Sequence, residues 1–327
     1  MRVLVIGGSG HIGSFLVPRL VRAGHQVVSM SRGEAVAYTD GAEWHDVRRV
    51  VVDRRAEDAA GSFGRTVLAQ RPDVVVDLIC FTEESAATLV AALRGEVQHL
   101  LHCGSVWRYG ASRKLPIAED SPCAAEPHDG YGIQKARIAD LLKRETADGG
   151  LITTSIHPGH IVGPGWQPIG PLGNLDETLW AKLSSGRTID VPGSGAETLH
   201  HVHADDVAQA FERAVDNRDA AAGEDFTIVA PTALNVRGYI EIASGWFGRS
   251  SEMRSVSWER FRELTTPEHA DVSRSHLERS QVFSIEKART RLGYAPRYEP
   301  DAAILESVRW LIEHGRLDVA APLLPTG

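Results

Sequence analysis

The chain opens on the run Val3-Leu4-Val5-Ile6-Gly7-Gly8-Ser9-Gly10-His11-Ile12-Gly13, a short apolar segment followed by a glycine-rich turn. The apolar segment is typical of a buried strand, and the residues after the turn predict a helix that reaches about Ala23. In such a strand–turn–helix unit, glycines permit the tight turn, close approach to a pyrophosphate, and close packing of helix on strand. Free N–H groups at the helix start favour phosphate. We therefore predict that a dinucleotide is bound here, by Gly7, Gly10, His11, Ile12 and Gly13.

Strand patterns alternate with helical patterns over the first half of the chain. Further strands are predicted at His25–Met30, Val50–Val52, Val74–Ile79, His99–Cys103 and Thr153–His157, and helices at Glu84–Leu93 and Tyr131–Thr146. This alternation predicts an α/β fold, a Rossmann-type doubly wound parallel sheet. We expect residues 1–160 to form the dinucleotide-binding domain, with 196–230 returning to the sheet. Residues 161–195 and 231–327 are expected to form a smaller, interleaved C-terminal substrate lobe.

Two late strands and one helix cap are also predicted. The strands are His200–His203 and Phe226–Val229, and Asp205 is the predicted N-cap of a helix that runs through Val215.

Composition limits the classes of partner. The 327 residues are 43% hydrophobic and 24% charged, with a net charge of −8. This balance is typical of a globular protein and argues against a nucleic-acid partner. No apolar run has the length of a membrane span. The three cysteines, Cys80, Cys103 and Cys123, show no disulfide or zinc spacing, and we expect Cys80 and Cys103 to be buried free thiols in a reducing cytoplasm.

The end of the second strand bears on the choice of cofactor. An NAD site usually places a carboxylate here for the ribose hydroxyls, whereas arginine suits the 2′-phosphate of NADP. Ser31 and Arg32 therefore favour NADP over NAD, although Glu34 lies close by.

Tyr131 and Lys135 are candidates for the proton-transfer chemistry. Their spacing places both on one helix face. A free tyrosine has a pKa of about 10, and an adjacent ammonium would lower it. Tyr131 could then exchange a proton with a substrate oxygen, while Lys135 contacts the nicotinamide ribose. Ser105, after the strand His99–Cys103, could orient that oxygen, because ligands bind at the carboxyl edge of such sheets.

Together, these motifs resemble the extended short-chain dehydrogenase/reductase family, also called the NAD-dependent epimerase/dehydratase family. Further segments carry the resemblance: Asp53-Arg54, Ser105–Gly110, His157–Pro164, His203–Asp206 and Ala288–Pro296. The resemblance implies that Ser105, Tyr131 and Lys135 form the catalytic set. It also implies that Asp53, with Arg54 beside it, binds the adenine end of the cofactor, and that the backbone from Pro158 to Ile161 borders the nicotinamide. A homodimer through the helices at Glu84–Leu93 and Tyr131–Thr146 is expected on the same ground.

The sequence departs from the family pattern on the substrate side. Leu199 stands where nucleotide-sugar enzymes carry an arginine for the diphosphate, and Arg274 or Arg279 could substitute for it. His157-Pro-Gly-His160 replaces the family's Arg-x-x-Asn, and Val106-Trp107 after Ser105 argues against a dehydratase.

Three more side chains are predicted to contact a small-molecule substrate, namely Trp107, His160 and Trp166. The run His200, His201 and His203 lacks the spacing of a metal site, so we expect no metal.

Three functions remain open at this point. The chain could be an NAD(P)-dependent epimerase of a polar, sugar-like substrate, a net NADPH-dependent carbonyl reductase, or a non-catalytic RNA-binding or cofactor-sensing protein.

Overall fold

The computed structural model describes residues 1–34, 36–122, 126–127 and 129–325, so Cys123 lies outside the described residues. The strands are β1 (Arg2–Ile6), β2 (Gln26–Ser31), β3 (Arg48–Val51), β4 (Val74–Asp77), β5 (His99–Cys103), β6 (Thr153–Pro158), β7 (His160–Val162), β8 (Ile189–Pro192), β9 (Thr198–Leu199), β10 (His201–His203), β11 (Asp225–Ile228), β12 (Leu234–Asn235) and β13 (Met253–Val256). The helices are α1 (His11–Arg22), α2 (Arg54–Ala59), α3 (Phe63–Leu68), α4 (Glu83–Leu93), α5 (Gly130–Ala147), α6 (Thr178–Ser185), α7 (Ala204–Asp216), α8 (Arg218–Ala221), α9 (Val236–Gly245), α10 (Trp258–Leu264), α11 (Pro267–Leu277), α12 (Glu286–Leu292) and α13 (Pro300–Glu313). Within the described ranges, none of these helices combines the length and the apolar character needed to cross a membrane.

Seven parallel strands form the main sheet, in the order β3-β2-β1-β4-β5-β6-β11. The chain moves outward from β1 to β3 and then returns to β4 on the other side of β1. Ligands bind at such a reversal, outside the carboxyl ends of the strands. The predicted Rossmann-type parallel sheet is confirmed.

Helices cover both faces of this sheet. On one face, α1 and α7 pack in a core that includes Leu16, Leu20 and Phe211. On the other face, α3, α4 and α5 contribute Phe63, Leu89, Ile138 and other buried residues. The strands are apolar on both sides because both sides are covered, which is the usual pattern of parallel sheets.

The C-terminal part of the chain has a second core. Residues of α6, α9, α11 and α13 pack with the pair β8–β13 around Trp180 and Tyr239. Of the segment 196–230, β11 lies in the main sheet beside β6, whereas β10 pairs with β7 in a separate two-stranded sheet. The chain therefore leaves the main sheet after β6, contributes to this second core, and comes back.

The predicted N-cap at Asp205 is wrong. The cap of α7 is His203, whose Nδ1 accepts the N–H of Asp205 at 3.0 Å. The Asp205 carboxylate instead pairs with Arg19 of α1 at 2.7 Å. An unprotonated imidazole nitrogen has replaced the usual cap oxygen, which frees Asp205 to join two helices across the fold.

Candidate active site

The glycine loop joins β1 to α1 with little spare room. Gly7 has φ of +86°, a left-handed conformation that favours glycine. A Cβ on Gly10 would lie 3.1 Å from the Gly7 carbonyl oxygen, and one on Gly13 would lie 2.5 Å from that of Gly8. The first turn of α1 carries no acidic side chain. The free N–H groups at the helix start are therefore available to an anion.

Replacing Gly13 by alanine tests how closely this loop is packed. We expect Gly13→Ala to lower the free energy of unfolding by about 2 kcal/mol or more, because its Cβ would meet backbone oxygens that cannot move independently. Dinucleotide affinity should fall at least tenfold, or about 1.4 kcal/mol. Urea unfolding and cofactor titration measure the two effects. Gly245→Ala is the control, since a Cβ there meets nothing within 4 Å, and equal behaviour of the two variants would contradict the prediction.

A cavity of about 980 Å³ runs along the carboxyl ends of β1, β2, β3 and β4. Predicted cofactor residues that line it are Gly7, Gly10, Ser31, Arg32, Asp53 and Arg54, and Phe81, Thr82 and Ser85 lie on its other side. The volume is at the upper end of the range for ligand pockets. The glycine loop, the N-terminus of α1 and the cavity together fit a dinucleotide.

Two arginines stand at the β2–β3 end of the cavity. Arg32 is exposed and pairs with Glu34 at 3.2 Å. Arg55 also lines the cavity and has no ion pair within the described residues. Sequence analysis missed Arg55, because it lies on a short helix whose orientation only the fold determines. The nearby Asp53 carboxylate accepts the N–H of Ala56 at 3.2 Å and so caps α2.

Arg54 differs from its neighbours because its guanidinium is engaged within the protein. It is buried, contacts both Asp77 carboxylate oxygens at 2.6 and 2.7 Å, and donates to Ser85 Oγ at 3.0 Å. A third partner is Asp58 at 3.3 Å. Arg54 therefore supports the cavity floor, while Arg55 is the arginine whose charge is open to a ligand.

The three predicted catalytic residues lie together. Tyr131 is in the first turn of α5, and the Lys135 Nζ lies 5.7 Å from the centre of its ring. Ser105 follows β5, and its side chain lies near enough to the Tyr131 phenol to lower the pKa of that phenol. The Lys135 Nζ is also 5.0 Å from the ring of Phe81, which lines the cavity. The set therefore adjoins the end of the cavity that lies past β4.

The structure reverses the expected shift of the Tyr131 pKa. Tyr131 is 43% exposed, but partial burial of its phenol raises this pKa to about 12, and the neighbouring Ser105 side chain opposes the rise only in part. The ammonium of Lys135 is engaged elsewhere, since it donates at 2.7 Å to the carbonyl oxygens of Cys80 and Cys103. Burial also lowers the pKa of Lys135. The thiols of Cys80 and Cys103 are buried and free, as predicted.

A buried network supports Ser105 from behind. Its backbone N–H donates to His157 Nδ1 at 3.2 Å, and His157 Nε2 lies 3.3 Å from Asp225 of β11. Arg108 pairs with the same carboxylate at 2.9 Å. Burial lowers the pKa of His157 to about 4, so the ring is neutral near pH 7. The predicted neighbour Pro158 ends β6 and is buried in register with Ile228.

The predicted substrate residues are only partly brought together. The ring of Trp107 lies 6.4 Å from that of Tyr131 and 4.8 Å from that of His276, and His276 lies 5.0 Å from His160. A small cavity is lined by Trp107, His160, His276 and Arg279. Sequence analysis missed His276, because α11 reaches this position only through the packing of the C-terminal core.

Trp166 stands apart from this small cavity. Its ring stacks on His11 at 4.9 Å, within 6° of parallel, and 48% of the residue is exposed. It therefore covers the start of α1. His11 and Ile12 are buried at that helix start, and neither lines the large cavity.

The histidines around β10 are held by the fold. His200 Nε2 bonds the Ala230 carbonyl, His201 Nε2 bonds the Ile169 carbonyl, and His203 caps α7. Within the described ranges, no group of three or more His, Cys, Asp or Glu side chains has a geometry suited to a metal.

Comparison with known proteins identifies the family. A family model described as "NAD dependent epimerase/dehydratase family" matches residues 3–229. The chain belongs to the NAD-dependent epimerase/dehydratase family. The matched segment contains the glycine loop, Ser105, Tyr131 and Lys135, so the resemblance carried by these motifs is confirmed.

Two proteins similar to this family member are named for different reactions, one a reduction and one an epimerisation. 2′-Dehydrokanamycin reductase of Streptomyces kanamyceticus is 30% identical over 97% of this chain and 86% of its own length. UDP-glucose 4-epimerase of Mycolicibacterium smegmatis is 27% identical over 97% of this chain and 99% of its own. This epimerase/dehydratase family member is an NAD(P)-dependent enzyme of the epimerase and reductase type.

A solved structure has the same fold. UDP-glucose 4-epimerase of Thermotoga maritima, determined with UDP-glucose, superposes with a TM-score of 0.71 at 18% identity. The match covers 96% of this chain and 99% of that one.

Proposed function

We propose that this enzyme interconverts a ketone and a secondary alcohol on a polar, sugar-like small molecule, with Tyr131 as the acid and base. The observation that carries the proposal is the grouping of Tyr131, Ser105 and Lys135 beside the dinucleotide-sized cavity. A nicotinamide bound there would supply or accept the hydride. In the reducing direction, Tyr131 donates a proton to the substrate oxygen, and in the oxidising direction it removes one.

Each residue has a distinct part in this proposal. Ser105 lies beside the phenol and can contact the same substrate oxygen. Lys135 uses two N–H groups on backbone carbonyls, which leaves its third for the cofactor ribose. The loop around Gly7–Gly13 and the start of α1 bind the pyrophosphate, with Asp53 at the adenine end and Pro158 beside the nicotinamide.

NADP is the cofactor we propose. Ser31, Arg32 and Arg55 line the end of the cavity where the adenosine ribose binds in this fold. The Arg32–Glu34 pair is largely exposed, with 67% and 69% of the two side chains accessible, so little energy opposes its separation. Two arginines can then contact a 2′-phosphate.

Replacing these arginines should change cofactor preference. Arg32→Ala and Arg55→Ala should each raise KM for NADPH about tenfold, since each removes a charge-assisted hydrogen bond. The KM for NADH should change less than about threefold, because NADH has no 2′-phosphate. Initial rates with both cofactors measure the effect. Arg48→Ala is the control, an exposed arginine that does not line the cavity. Equal losses with NADH and NADPH would contradict the preference.

Net reduction is favoured over epimerisation. The relative with the higher identity is a reductase, and NADP suits an enzyme that releases its cofactor at each turnover. We would test hydride transfer by following reduced nicotinamide with a panel of glycosides, kanamycin and UDP-glucose. Mass spectrometry of the purified protein would test for retained cofactor. Turnover of added NADP(H) supports a reductase, whereas tightly retained NAD without net turnover supports an epimerase. Failure to bind either dinucleotide would overturn the proposal.

We further propose a homodimer in the cytoplasm. Helices α4 and α5 pack side by side, and small residues such as Ala87 and Ala91 are exposed on α4. The buried thiols Cys80 and Cys103 suit a reducing compartment. Light scattering should give twice the chain mass of 35.5 kDa, and a mass of one chain would contradict the dimer.

A further inference from the structure

Arg279 reaches from the C-terminal part of the chain into the neighbourhood of Tyr131. Its guanidinium lies 4.1 Å from the centre of the Trp107 ring, and its Nη1 donates to the Tyr109 carbonyl at 3.1 Å. Its Nη2 donates to the carboxylate of Asp129, two residues before Tyr131. The side chain is only 9% exposed. This arginine is therefore fixed in place and is not free to move toward a distant ligand.

The charge of Arg279 is compensated within the protein. Asp129 both accepts the Gly132 N–H at 2.7 Å, as the N-cap of α5, and pairs with Arg279. His160 and His276 line the same small cavity, and burial lowers the pKa of both rings. The cavity wall thus presents one paired ion and two neutral imidazoles. Arg274, the other candidate for a diphosphate ligand, is exposed and pairs with Glu278 at 2.6 Å.

Among Arg279, His160 and His276, one fully buried polar atom lacks a hydrogen-bond partner in the described part of the chain. The Arg279 Nε is buried and makes no hydrogen bond within the part of the chain that the structure describes. An unpaired buried N–H is costly, and Arg279 lines the small cavity, so a substrate oxygen that enters the cavity can satisfy this N–H after a small shift of the side chain. An N–H donor beside imidazole nitrogens matches an oxygen that both accepts and donates hydrogen bonds.

We propose that Arg279, His160 and His276 form a subsite for an uncharged hydroxyl group of the substrate near the reacting carbon. This inference rests on the proposed function and adds the class of substrate. The enzyme then acts on a glycoside without a diphosphate at this position. A diphosphate would meet the Asp129 carboxylate directly behind Arg279, and like charges at this range repel.

Binding of UDP to the NADP⁺-saturated protein tests the proposal without any turnover. For the unaltered protein we expect no binding below about 1 mM. Asp129→Asn should bind UDP at least tenfold more tightly, because it uncovers the Arg279 charge while asparagine still caps α5. The double variant Asp129→Asn with Arg279→Gln should lose this gain. Arg274→Gln, added to Asp129→Asn, is the control and should keep the tighter binding of UDP. Micromolar binding by the unaltered protein that Arg279→Gln abolishes would overturn the proposal.

A kinetic measurement tests the same subsite with a neutral ligand. For the best glycoside found in the hydride-transfer panel, Arg279→Gln should raise KM at least tenfold and leave kcat within about threefold, as expected for loss of substrate binding. If Arg279→Gln folds poorly, KM is measured instead for the double variant Asp129→Asn with Arg279→Gln, because that variant leaves neither partner of the ion pair charged. Unchanged KM in a folded variant would overturn the subsite. Absence of hydride transfer with every substrate would count against the proposed function alone, because the UDP titration does not depend on it.

Discussion

Replacing Tyr131 by phenylalanine should lower kcat/KM for hydride transfer by about 1,000-fold, the usual scale of a lost general acid or base. The phenol is the one group in the catalytic set that can exchange a proton with the substrate oxygen near neutral pH in our proposal. Lys135 is engaged with two carbonyl oxygens, and the imidazole nitrogen nearest Ser105, the Nδ1 of His157, already accepts the Ser105 backbone N–H. Stopped-flow measurement of reduced nicotinamide would give the rate.

Controls separate lost chemistry from lost structure. Tyr298→Phe removes a hydroxyl from a ring that stacks on His203, and it should leave the rate within about threefold. Dinucleotide affinity of Tyr131→Phe should equal that of the unaltered enzyme, because the cavity is lined by other residues. Ser105→Ala should lower kcat/KM for hydride transfer by a smaller factor than Tyr131→Phe does. A Tyr131→Phe enzyme with more than about a tenth of the original rate would exclude this residue as the main proton donor.

Tyr131 should also determine how the rate of hydride transfer depends on pH. With a pKa of about 12, Tyr131 is protonated at neutral pH and ready to act as an acid in reduction. Reduction should therefore be nearly independent of pH from about 6.5 to 9, while oxidation should accelerate as the phenolate fraction grows with pH. Identical profiles in the two directions would contradict this assignment.

Acidification should unfold the protein between about pH 6 and pH 5, well above the range where most carboxylates are protonated. The reason is a set of histidines that are buried and neutral. Burial lowers the pKa to about 4 for four of them, namely His99, His157, His200 and His201. It lowers the pKa of the fifth, His11, to about 3. In the unfolded chain, each would have a pKa near 6.5.

The direction and size of the effect follow from proton linkage. Below about pH 6.5 the unfolded chain binds more protons than the folded one, so stability is complete above that pH and declines as pH falls. At pH 5.5 each buried histidine lowers the free energy of unfolding by about 1.4 kcal/mol. Five such residues lower it by about 7 kcal/mol, which is comparable with the whole stability of a typical domain, about 5–15 kcal/mol.

Urea unfolding at several pH values would measure this loss. His99→Gln can keep the hydrogen bond to Thr154 and should reduce the pH dependence by about one proton. His45→Gln is the control, because His45 is exposed. A free energy of unfolding that stayed level down to about pH 5 would show that these histidines are accessible to protons in the folded state.

Local spacing in the sequence predicts which residues share one turn or one helix face. The glycine loop lies on neighbouring residues, and Tyr131 and Lys135 are one helical turn apart, so periodicity alone places them on common faces. Ser105 is a candidate because it follows the predicted strand His99–Cys103. Parallel strands then bring these segments to one edge of the sheet.

Other properties of the site depend on contacts between distant segments. Burial, which the sequence does not reveal, raises the pKa of Tyr131, and the engagement of Lys135 depends on carbonyl groups of two separate strands. His276 and Arg279 meet Trp107 only because the C-terminal core packs as it does. Likewise, Arg54 and Arg55 are adjacent in sequence, and their opposite exposure is decided by Asp77 of β4.

The late position of β11 has a consequence for synthesis on the ribosome. The edge of the main sheet beside β6 is closed by residues 225–228, and Asp225 of this strand holds the histidine behind Ser105. A nascent chain that has emerged only as far as residue 160 contains the whole glycine loop and the helix of Tyr131. Its outermost strand still has an open edge, which is a site for pairing with other chains. Growing chains are therefore exposed to misassembly until roughly seventy more residues have left the ribosome.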